Sequence, residues 1–155
     1  EVAQTAIDRV HELLRSSAQY SSKVPYSKIV SHVFLGYDKE GNVEQGIALR
    51  AFKSYEWVTA MVVVKVDGQR YVVEGVDIPD AERIENAEKR GKVVAALKDI
   101  KGRVVRDETQ ALKKIDAVTG ATRYTKRIYL YSDILAKALV AEMNANPDWA
   151  KQPTR

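Results

Sequence analysis

Hydrophobic positions recur along this chain with two periods, and the switch between them divides it into elements. In AQTAIDRVHELLRSSA (3–18), Ala3, Ile7, Val10 and Leu14 share one helical face, while Asp8, Arg9, Glu12 and Arg15 lie elsewhere. That spacing predicts an amphipathic helix with an apolar stripe to bury. QYSSKVPYSK (19–28) breaks the pattern with serines and Pro25. IVSHVFLGY (29–37) and VEQGIALRAF (43–52) are β-type sequence around the turn DKEGN (38–42), and they read as a hairpin. WVTAMVVVKV (57–66) and QRYVVEGVDI (69–78) flank Asp67-Gly68, which suits a tight type I′ turn. Strands joined by short turns predict an antiparallel sheet of about four or more strands in two hairpins.

Helical sequence resumes at Pro79-Asp80. DAERIENAEKRGKVVAALKDIKG (80–102) reads as two helical pieces, interrupted at Gly91 and ended at Gly102. RVVRDETQALKKI (103–115) is ambiguous and leaves a short strand open. RYTKRIYLYSDILAKALVAEMNAN (123–146) puts Ile128, Tyr131, Leu135, Ala138, Leu139 and Met143 on one face. It predicts a long C-terminal helix, with Pro147 beyond its end. The tail PDWAKQPTR (147–155) reads as a frayed terminus. The order is helix, meander, middle helices, loop, long helix. It predicts a single α+β domain over 1–155, with helices laid on an antiparallel sheet. No internal repeat or low-complexity segment interrupts it.

Composition narrows the function more than the fold. The 155 residues are 45% hydrophobic and 30% charged, normal for a globular domain. Net charge is +4, from 25 basic and 21 acidic residues with the signs interspersed, too mild to imply nucleic acid. No cysteine is present, which excludes disulfides, thiolate-held iron–sulfur clusters and thiol catalysis. His11 and His32 are the only histidines, without HExxH-like spacing, so no metal site is expected. No apolar run is long enough to cross a bilayer. The start, EVAQTAIDRVHELL, is not a signal peptide, though a processed or trimmed chain would begin the same way.

The chemistry concentrates in DAVTGATRYT (116–125), just before the long helix. A helix N-terminus leaves four N–H groups unpaired and carries partial positive charge, so it can seat a phosphate. Gly120 and Ala121 allow close backbone approach, and Thr119, Thr122 and Thr125 offer hydroxyls. Arg123, Lys126 and Arg127 place cations where the helix dipole disfavours them, a conflict that an anionic ligand would resolve. Alternatively Thr119 or Thr122 is an N-cap and the cations are solvated. These residues alone leave both readings open.

Thr119-Gly120-Ala121-Thr122, preceded by Asp116, resembles the flavinylation motif of the FMN-binding domain family. That family includes flavin-bearing components of the sodium-translocating NADH:quinone reductase and of the Rnf electron-transport complex. Gly36-Tyr37 followed by DKEGNVEQGIAL resembles the family's upstream hairpin, and the likeness spans roughly 29–143. The resemblance implies FMN joined by a phosphoester to Thr122, attached by a separate Mg²⁺-dependent FMN transferase with FAD as donor. Thr119, Gly120, Ala121, Arg123, Tyr124 and Thr125 would surround it, and Asp116 would position the loop or the transferase's metal.

The chain departs from the pattern in three places. Thr119 stands where Ser is usual, and Tyr124 and Thr125 where Thr and Ser are common. Ser54-Tyr55-Glu56-Trp57 replaces a Glu-Thr-Pro turn near the ring. Tyr124, Trp57, Tyr55 and Phe52 are the aromatic candidates for the isoalloxazine.

The implied function is an electron carrier between redox partners rather than a stand-alone enzyme, with no catalytic dyad. It would work outside the cytoplasm, periplasmic or at the cell surface, in association with a membrane redox complex. The alternatives are a non-covalent FMN oxidoreductase module and a cofactor-free binding or structural module.

Overall fold

The computed structural model describes residues 1–53, 56–98, 104–105 and 122–154; for 96, 104–105 and 122–125 the backbone alone is described. It shows an α+β domain. Helix α1 (Gln4–Leu14) leads into β1 (Gln19–Lys23), β2 (His32–Tyr37), β3 (Val43–Lys53), β4 (Trp57–Asp67) and β5 (Arg70–Asp77). After a 3₁₀ turn (Ala81–Arg83) come α2 (Ala87–Leu97), β6 (Val104–Val105), α3 (Thr122–Ala145) and β7 (Gln152–Pro153). The described strands form one sheet in the order β6-β5-β4-β3-β2-β1-β7, every neighbouring pair antiparallel.

Strand alternation gives the sheet two buried faces. Val33, Leu35, Ala48, Phe52, Ala60, Val62 and Val64 point to α3. On α3, Ile128, Leu135, Leu139 and Met143 meet them. On the opposite face Phe34, Ile47, Leu49, Met61 and Val63 receive Ala6, Val10 and Leu14 of α1. Both sides being covered explains why β4 reads MVVV rather than alternating.

Several sequence expectations need correction. The first helix ends before QYSSK, as expected, but QYSSK is itself a strand: β1 pairs with β2 over its whole length. Its polarity is tolerated because Ser21, 1% exposed, shares a 2.7 Å hydrogen bond with the Tyr37 hydroxyl. The helical break after Pro79 lies at 84–86, not at Gly91, which is inside α2. Ile84 is extended, and the Asn86 side chain accepts from Lys89 N at 2.9 Å to start α2. Gly91 costs only its helix propensity, because a Cβ there would meet nothing within 4 Å. The expected helix end at Gly102 lies outside the described residues.

The hairpin at 67–70 differs too. Asp67 and Arg70 still pair, so Gly68 and Gln69 are the turn, with positive φ at Gly68 (+66°) alone. That pattern belongs to type II′, not I′. The C-terminal tail does not fray. Gln152 and Pro153 pair with β1, the Thr154 hydroxyl donates to Ser17 O at 2.9 Å, and Trp149 packs against the core.

Candidate functional site: the start of the last helix

Helix α3 runs antiparallel to β3 across the sheet. Its C-terminal half lies over Gly46, where Leu139 and Met143 approach so closely that a Cβ would sit 3.0 and 2.9 Å from them. Farther toward its start, Tyr131 meets Phe52 with ring centroids 5.4 Å apart. Near its start the Arg127 guanidinium donates from Nη1 to Lys53 O at 2.9 Å, at the end of β3. Thr122 is the first residue of the helix, five positions before Arg127. At 1.5 Å per residue the helix therefore begins about 7.5 Å before that anchor.

Of the residues singled out from sequence, Asp116, Thr119, Gly120 and Ala121 lie outside the described residues, as does Tyr55. Thr122, Arg123, Tyr124 and Thr125 form the first turn of α3. The first turn contains no acidic residue, and Lys126 and Arg127 are exposed. Nothing within the turn's own sequence therefore offsets its unpaired N–H groups or its dipole.

The aromatic candidates separate. Phe52 is 1% exposed and belongs to the core beneath Tyr131. Trp57 is 51% exposed, but in the alternation of β4 it falls on the face opposite Val58, away from α3. Only Tyr124 stays within the first turn itself.

The sequence pattern gives Tyr131 a place on the buried face of α3 but does not identify its partner, Arg50. The Arg50 guanidinium lies 4.0 Å from the centre of the Tyr131 ring, and its Nη1 donates to Ile29 O at 2.7 Å. Arg50 Nε is buried with no hydrogen-bond partner among the described residues. The signal was present in the sequence: between Ala48 and Phe52, Arg50 takes the same alternation as two buried apolar residues of β3.

His11 meets the edges of Tyr20 and Phe34, and His32 stacks near Phe34 with Nδ1 2.9 Å from Ser31 Oγ. Among the described residues no three His, Cys, Asp or Glu side chains are grouped to hold a metal ion. No helix among them is long and apolar enough to cross a membrane.

Burial holds the His32 pKa below its ordinary value near 6.5. The folded state therefore binds fewer protons than the unfolded chain as pH falls below about 6.5. The contribution of neutral His32 is complete above that pH and is lost as pH falls through the lowered value. Melting temperatures measured from pH 8 to pH 5 should drop more for the wild type than for His32→Gln. Parallel curves would remove His32 as a source of acid sensitivity.

No family model matches this chain, and no curated protein matches it. A solved structure, that of Shewanella oneidensis NqrC, is similar at a TM-score of 0.36 with 18% identity. The similarity covers 76% of this chain and 62% of that one. A likeness at that level is too weak to establish a shared topology.

Proposed function

We propose that this protein is an electron-transfer flavoprotein domain carrying FMN on Thr122 through a phosphoester. One observation carries the reading: the Thr-Gly-Ala-Thr string ends on the first residue of a 24-residue helix. A phosphate held there would meet unpaired backbone N–H groups, the positive end of the helix and no first-turn carboxylate. The residues present thus fit the group. Bound flavin would supply one- and two-electron chemistry, which no side chain of this cysteine-free chain offers.

The protein's own part is to present and hold. The Arg127 anchor to Lys53 O fixes the start of α3 against the β3 end. Exposed Lys126 and Arg127 contribute positive charge within one to two turns of Thr122. Gly120 and Ala121, the small neighbours of Thr122 in sequence, would leave its hydroxyl accessible to a Mg²⁺-dependent transferase that uses FAD. In that transfer the hydroxyl oxygen bonds to the FMN phosphorus and the pyrophosphate bond of FAD breaks. AMP leaves, and the hydroxyl proton passes to a base on the transferase. Redox partner proteins outside the cytoplasm, in or beside a membrane complex, would then exchange electrons with the domain.

Intact-mass spectrometry after co-expression with an FMN transferase tests the assignment. The expected result is a gain of one FMN less one water, mapped to Thr122 and absent in Thr122→Ala. An unmodified mass under those conditions rejects covalent attachment. Yellow flavin released by acid precipitation would instead identify a non-covalent FMN module.

A further inference from the structure

At the opposite end of the sheet from the start of α3, a crevice of about 520 Å³ opens between the end of α1, the 38–44 hairpin and the C-terminal tail. Its floor is polar and fixed. Ser17, 4% exposed, donates from Oγ to Glu44 Oε1 at 2.7 Å and accepts from Gln45 Nε2 at 2.8 Å. Gln45, 2% exposed, also donates to Ser16 Oγ at 3.1 Å. Thr154 closes one wall through its bond to Ser17 O. The tail that sequence pattern marks as frayed is thus part of a formed cavity.

The charges around this floor are unequally satisfied. Asp38 Oδ1 accepts from Glu40 N at 3.0 Å and Asn42 N at 2.9 Å, and Glu44 Oε1 accepts from Ser17. Arg15 and Lys39 line the same crevice, and their side chains have no hydrogen-bond or ion-pair partner among the described residues. Two carboxylates are engaged in holding the protein's own structure, and two cations are not. An anionic ligand would complement the charges that the described residues present there. The two carboxylates make the lining neutral in sum, which disfavours a dianion, and each leaves one oxygen to accept from a donor on the ligand.

We propose that this crevice binds a small monocarboxylic acid bearing a hydroxyl or ammonium group. Arg15 and Lys39 hold the carboxylate by charge-assisted hydrogen bonds. Glu44 and Asp38 accept from the hydroxyl or ammonium. The volume is within the range of small-molecule sites. The site is independent of flavin attachment.

Titration of the isotope-labelled protein with lactate and with glycine, followed by amide NMR, tests this directly. Saturable shifts at Ser16, Lys39 and Thr154 are expected with at least one of them. In Arg15→Gln/Lys39→Gln affinity should fall at least about tenfold, the loss of roughly one charge-assisted bond. Both side chains are exposed and unpartnered, so the variant should keep the wild-type melting temperature. Acetate and inorganic phosphate should bind at least about tenfold more weakly than the preferred acid. Absence of saturable shifts with both acids, or unchanged affinity in the double variant, overturns the site. Equal binding of phosphate or acetate overturns the ligand class.

Discussion

Phe52→Ala is expected to destabilise the domain by about 3–5 kcal/mol, the usual range for emptying a buried phenylalanine site. Phe52 is 1% exposed and joins β3 to α3 through the Tyr131 ring, 5.4 Å away. The cavity would open beneath the helix segment leading to Arg127, where little can collapse inward because Ala60 and Val58 on β4 are themselves buried. Urea denaturation measures the loss. Loading of FMN per folded molecule should stay unchanged, since a core residue has no contact to offer a ring. A cost below about 1 kcal/mol would contradict the packing. Loss of loading in protein that remains folded would restore Phe52 as a ring neighbour.

The strands legible in the sequence were those with an apolar face of their own. WVTAMVVVKV and VEQGIALRAF announce burial through β-branched and aliphatic residues, and the order of the meander follows from their short turns. QYSSK could not be read that way. Its strand character comes from five ladder partners on β2 and from the Tyr37 hydroxyl, both distant in sequence. Gln152-Pro153 is the same case in a shorter form, a strand created by β1's open edge. At 84–86 local chemistry was decisive, but the Asn86 cap is a weaker signal than the glycine five residues later.

The candidate site divides similarly. A four-residue string sufficed to single out Thr122, and the start of α3 falls on it. Which aromatics flank that helix depends on strand alternation and on the pairing of Lys53 with Trp57, which sends Trp57 and Phe52 to opposite faces. Arg50 was overlooked because a cation in a strand normally reads as the solvent face. Here α3 supplies Tyr131 to cover it.

Gly36→Ala should be the more informative of the two large effects, at about 2–4 kcal/mol from overpacking and disturbed buried hydrogen bonds. A Cβ at Gly36 would collide with Ser17 Oγ and lie 2.9 Å from Gln45 Cγ. Ser17 cannot simply rotate away, because its hydroxyl is fixed between Glu44 and Gln45. Moving it leaves a donor or an acceptor unpaired in a region that is 2–4% exposed. Gly75→Ala is the matched control, a strand glycine without positive φ whose Cβ would meet nothing within 4 Å. It should be neutral or stabilising by up to about 1 kcal/mol. Chemical denaturation of both variants separates close approach from glycine's general cost in a strand, and equal effects would refute the close approach. A double-mutant cycle with Ser17→Ala sharpens the test: the clash falls largely on Oγ, so Gly36→Ala should cost distinctly less once that atom is gone. The Gly36-Tyr37 pair then has a physical meaning independent of any cofactor. Gly36 admits the end of α1 to the sheet, and Tyr37 holds β1 through Ser21. The dipeptide serves this packing, at the end of the sheet opposite the start of α3.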